Sequence, residues 1–136
     1  MPEDISDTEK DQWHSGFAMI QIFIRRLSKA GGLVIAATDN TEGRLPGVTL
    51  HREMLLLADA GISPYKVLLG STRRPAEMLY KENLIGIVEI GKQADILLLG
   101  SSPIEHINYS QDIDYVMRKE KIVKSPYYYS TNVTYL

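Results

Sequence analysis

The sequence predicts an α/β fold that continues beyond what this chain can build, the end of a larger parallel barrel or sheet. Three observations carry that reading. The run Leu33-Val34-Ile35-Ala36-Ala37-Thr38 is apolar on both faces and stops at a carboxylate, Asp39; a strand apolar on both faces is one covered by a layer on each side. A helical pattern precedes this run, and a Gly/Pro loop and further helices follow it, which is the alternation of a parallel α/β architecture. A single parallel strand leaves backbone donors and acceptors open on both edges, so it needs neighbours.

The 136 residues suffice for one ordinary domain with a core. Apolar content is 44% and charged content 24%, ordinary for a globular protein. The formal net charge of −2 offers no basic footprint for nucleic acid. There are no cysteines, which excludes disulfides and thiolate metal sites and fits a reducing compartment. No apolar run reaches membrane-spanning length, and the acidic start is not a secretory signal. The expectation is therefore a cytoplasmic protein with neither a membrane nor a nucleic-acid partner.

Residues 1–11 (MPEDISDTEKD) are polar and read as a loosely ordered leader. From residue 12 the pattern is helical, with Phe17, Ile20, Ile24 and Leu27 three and four apart. Arg25, Arg26 and Lys29 complement the dipole of its last turn, and Gly31-Gly32 ends it. A strand over 33–38 follows, then a loop over 39–48. Thr49 is the expected N-cap of a helix over 50–60. Ser63-Pro64 opens another helix, and Pro75 a short one over 76–80. After Asn83 the character changes. Residues 86–91 alternate between glycines like a strand, and 94–99 form a second strand. Residues 101–112 read as an irregular connection. Residues 114–117 and 122–124 read as a hairpin around Lys119-Glu120, a turn without the usual Gly or Asn. The tyrosine-rich residues 125–136 form a tail, and there is no internal repeat or heptad pattern. The organisation is thus a leader (1–11), a helical block with one strand (12–82), a β block (84–124) and a tail (125–136).

Asp39 is the leading candidate for chemistry, because α/β folds place their reacting groups at the carboxyl ends of strands. The bland alternative is a turn-forming Asp. Asn40 either contacts substrate or turns the chain. Arg44, in the loop TEGRLPGV, is placed to meet a substrate carboxylate or to lie in solvent. His51, near the start of the following helix, faces the site or packs against it. Arg73-Arg74 lack a glycine-rich cradle for phosphate, and Gly86, Gly91 and Gly100 form no dinucleotide fingerprint.

Four segments together resemble the C-terminal part of metal-dependent amidohydrolases, closest to imidazolonepropionase-like and prolidase-like members. They are GLVIAATD ending at Asp39, LHREM through AGISP ending at Pro64, GIVEIGKQADILLL ending at Leu99, and Val116-Met117-Arg118 through Ile122-Val123. The third is the most specific. The resemblance implies that 33–38 is the eighth strand of a (β/α)8 TIM barrel of roughly 250 residues. It also implies that 86–124 is part of the small β-sandwich beside that barrel. By the same resemblance Asp39 touches one of one or two divalent metals, zinc being the expected ion, and takes the proton of the attacking water. The family's His-x-His pair and its later histidines have no counterpart here, because His14, His51 and His106 are scattered.

The resemblance implies hydrolysis of a C–N bond in a small amide or cyclic amide by the parent unit, with Asn40, Arg44 and His51 as candidate substrate contacts. This chain alone is expected to bind no metal. The rival expectation is a non-catalytic module, a truncated fragment or split subunit that works through a companion chain or self-association.

Overall fold

The computed structural model describes residues 6–39 and 47–124. The elements are α1 (Asp7–Lys29), α2 (Val48–Asp59), α3 (Pro64–Ser71), α4 (Arg73–Met78), β1 (Ile96–Leu99), a 3-10 turn (Ile107–Gln111), β2 (Ile113–Arg118) and β3 (Lys121–Lys124).

Helix α1 starts five residues earlier than the apolar pattern predicts. Ser6 and Glu9 form a capping box: the Glu9 N–H donates to Ser6 Oγ, and the Ser6 N–H donates to Glu9 Oε2 at 2.9 Å. Hydrogen bonds from Ser6 hold the Glu9 carboxyl below its ordinary value. The stretch expected to be loose is therefore helical from Asp7, and residues 1–5 lie outside the described residues. At the other end Gly31 turns the chain with φ 87°, a conformation that costs glycine nothing.

Residues 33–39 form no regular strand, contrary to the sequence expectation. The physical reason is the one that marked the segment as incomplete: among the described residues no strand lies alongside to complete a ladder. Its one backbone hydrogen bond to another element among those residues runs from the Ala36 N–H to the Gly70 carbonyl, 3.1 Å. A Cβ on Gly70 would stand 2.6 Å from the Val34 carbonyl oxygen, so only glycine lets α3 sit this close. Ala36 is buried, while Leu33 and Ala37 are exposed.

Helix α2 is capped by Gly47 at φ 90°, and Thr49 lies inside the helix instead of capping it. Helix α3 starts at Pro64 as expected, although Ser63 makes no side-chain capping bond. Helix α4 starts at Arg73, ahead of Pro75, and ends at Met78. Pro75 then sits in the first turn, where its missing N–H leaves no bond unmade. The core gathers Ala36, Met54, Leu57, Ile62, Val67 and Ile107, so α2, α3, the 33–39 segment and the 3-10 turn share one centre. Ile24 is the α1 side chain packed against it.

The sheet is antiparallel in the order β1-β2-β3. Leu97 faces Val116, Val116 faces Val123, and Arg118 faces Lys121 across the hairpin. The turn at Lys119-Glu120 has φ of 47° and 65°, as a two-residue hairpin of type I′ requires. Neither residue is suited to that region, and neighbouring bonds compensate. The Lys119 N–H donates to Asp95 Oδ1 at 2.8 Å, and the Glu120 N–H donates to the Ala94 carbonyl at 3.3 Å. Gln93 Nε2 donates to the other Asp95 oxygen at 2.6 Å. The bonds from Lys119 and Gln93 hold the Asp95 carboxyl below its ordinary value.

The strand expected over 86–91 is absent, replaced by turns and bends with Val88 and Ile90 exposed. Alternation predicted a half-buried strand, but no described strand pairs with it. Gly86, at φ 104°, packs so closely that a Cβ would come within 2.7 Å of Ala76 Cβ. The next expected strand, 94–99, is shortened to Ile96–Leu99 because Ala94 and Asp95 serve the hairpin turn instead. Among the described residues no helix is long and apolar enough to cross a membrane.

Candidate functional site

Asp39 stands exposed at the end of the apolar segment with φ 39°, in the left-handed region. Asp tolerates this region better than most side chains, which fits an acid at a segment tip. Asn40 and Arg44 lie outside the described residues.

His51 is half-buried in α2, and its Nδ1 lies 2.9 Å from Ser110 Oγ on the 3-10 turn. Burial pushes the imidazole below its ordinary pKa, favouring the neutral ring. Ser110 is itself buried, and this bond joins the helical block to the connection that leads into β2. The contact gives His51 a positioning role between α2 and the 3-10 turn. Ser110 carried no sequence signal: its distance of 59 residues from His51 hides the pairing.

The other histidines stay apart. His14 is exposed on α1, and His106 is exposed and meets Tyr109 edge-on, ring centroids 5.7 Å apart. Among the described residues no three His, Cys, Asp or Glu side chains are arranged to hold a metal ion. A catalytic zinc takes three protein ligands and an open position. The described residues therefore do not fit a resident divalent metal by themselves; Asp39 offers one oxygen donor.

The sequence profile of the amidohydrolase family matches residues 20–123. Imidazolonepropionase of Treponema denticola is 30% identical over 115 residues, covering 80% of this chain and 28% of the relative. Imidazolonepropionase of Geobacillus kaustophilus is 30% identical over 101 residues, covering 74% of this chain and 23% of the relative. Among solved structures, a Xaa-Pro dipeptidase with bound methionine in its active site superposes with a TM-score of 0.69 at 24% identity, over 78% of this chain and 26% of that one. A candidate prolidase from Bifidobacterium longum gives a TM-score of 0.69 at 29% identity, over 76% and 26%. The chain thus spans about a quarter of the length of the curated relatives it matches.

Proposed function

The chain belongs to the amidohydrolase family, and we propose that it supplies the closing part of a unit that hydrolyses C–N bonds in a small amide or cyclic amide, with Asp39 as its acid–base carboxylate. In this reading residues 33–38 take the place of the last strand of a (β/α)8 barrel, and β1, β2 and β3 are a share of the small sandwich beside it. The observation that carries the proposal is the position of Asp39. The family match runs through it, the apolar segment ends at it, and the left-handed turn leaves it exposed. Such a carboxylate accepts a proton from water as the water oxygen bonds to the carbonyl carbon. It then delivers that proton to the nitrogen as the C–N bond breaks. A divalent metal, zinc in this reading, would acidify the water, and its remaining ligands would come from polypeptide outside the described residues. Asn40 and Arg44 follow Asp39 in the chain and are the proposed substrate contacts; His51 is bonded to Ser110 and holds α2 against the 3-10 turn.

The test combines this chain with the N-terminal three-quarters of the Treponema denticola imidazolonepropionase and zinc, then follows ring and amide hydrolysis. The expected result is activity in the mixture only, lowered about 10²–10⁴-fold by Asp39→Asn. Undiminished turnover by Asp39→Asn would remove Asp39 from the reaction. The second reading, a non-catalytic assembly module, is favoured by the missing donor set among the described residues. A stable but inactive mixture is its signature.

A further inference from the structure

Helix α1 has 23 residues, and none is buried. Its apolar side chains do not all share one role. Ile24 reaches the core, and Gln21 and Ser28 are partly covered on that side. Beside Ile24, on the flank away from Gln21 and Ser28, runs a stripe of Trp13, Gly16, Ile20, Phe23 and Leu27; Trp13, Ile20 and Phe23 are 62, 56 and 64% exposed. The steps between its members alternate three and four residues, which keeps them in line on an α-helix and is the spacing of a helix–helix seam. Single exposed apolar residues need no explanation, but a continuous stripe along a whole helix marks an interaction surface.

The geometry points to a second copy of this chain as the occupant, with the two α1 helices packed antiparallel about a two-fold axis. Two features select that occupant. The first is charge. The N-terminal part of α1 carries Asp7, Glu9 and Asp11 against Lys10, while the C-terminal part carries Arg25, Arg26 and Lys29. Parallel copies would set like ends together; antiparallel copies oppose them and also oppose the two helix dipoles. The second is shape. Gly16 interrupts the stripe, no heavy atom lies within 4 Å of the place its Cβ would occupy, and the hollow above it is lined by Trp13, Phe17 and Ile20, with Glu9 and Gln12 at its polar end. In the antiparallel register Gly16 lies opposite Ile20 of the other copy, and Trp13 opposite its Phe23. A bulky side chain on each copy thus enters the hollow of the other, the self-complementarity that a two-fold interface requires. The inference stands without the catalytic role of Asp39.

The test is the solution mass of the chain by native mass spectrometry and equilibrium sedimentation at micromolar concentration. A dimer is expected for the wild type, weakened at least tenfold by Gly16→Leu and by Phe23→Glu. Gly16→Leu is the decisive variant: leucine favours the helix more than glycine does and meets nothing within one copy, so loss of dimer cannot be loss of fold. Circular dichroism should show its helicity unchanged or higher. Because the chain has no cysteine, mixing Gly16→Cys with Ile20→Cys chains reports the register. A mixed disulfide is expected, and cross-linking of Gly16→Cys only to itself would mean parallel helices and overturn the arrangement. A monomeric wild type, or an oligomer indifferent to both stripe substitutions, would overturn the proposal and leave the stripe to a companion polypeptide.

Discussion

Two regions with the same kind of sequence end in different states. Residues 113–124 and 96–99 form a hydrogen-bonded sheet, whereas 33–38 and 86–91 form none, although the sequence of each reads as strand. Exposure does not separate them; Leu97 and Leu98 are 51 and 55% exposed, between Ile87 at 40% and Leu33 at 62%. The difference is the partner. β2 finds β3 across a two-residue turn and β1 on its other edge, so every strand of that sheet has a neighbour. The two others have no described neighbour, and a strand is a property of a pair.

The largest difference should appear in amide hydrogen exchange. Val116 and Met117 should exchange slower than Val34, Ile35 and Ile87 by a factor on the order of a thousand, while Ala36, bonded to Gly70, should stand out within its own segment. Equal protection across both regions would mean that the unpaired runs are covered after all. Next in size is the shared core: Leu57→Ala should cost about 2–5 kcal/mol in urea unfolding, because Leu57 is buried where α2 meets the 33–39 segment. Gly86→Ala should cost about 1–3 kcal/mol, since it places a Cβ against Ala76 at a φ that alanine resists.

A smaller effect tests the link between the blocks. His51 has a depressed pKa in the folded state, so the folded state binds fewer protons than the unfolded one at mildly acidic pH. Stability should be full above pH ~6.5 and fall as the pH drops through the histidine's folded value. His51→Gln should flatten that slope while costing about 1 kcal/mol at pH 7.5 through the altered bond to Ser110. The most local effect is Asp95→Ala, which should speed exchange at Lys119 and the hairpin amides and leave the helical core unmoved.

What the sequence disclosed follows the same division. Local signals were legible: Gly31 ending α1, Pro64 opening α3, and the hairpin around Lys119-Glu120. The last formed without Gly or Asn because Asp95, more than twenty residues away, holds the turn, and no local pattern encodes that. The start of α1 was written in Ser6 and Glu9, but apolar periodicity began later and masked it. Residues 33–38 and 86–91 read as strands, yet among the described residues neither has the partner that a ladder needs. At the candidate site, Asp39 was marked by its place after an apolar run. The role of His51 was hidden, because its partner Ser110 is set by the packing of α2 against the 3-10 turn.

Gly70 deserves the last word for what it does to the acid three residues beyond Ala36. With no ladder to fix its height, the 33–39 segment is registered by a notch in α3, where the helix backbone accepts the Ala36 N–H and nearly touches the Val34 carbonyl. Asp39 follows three residues after Ala36, so the segment that leads to it is seated by the one position in α3 without a side chain. Any side chain there would push against the Val34 carbonyl and break that fit.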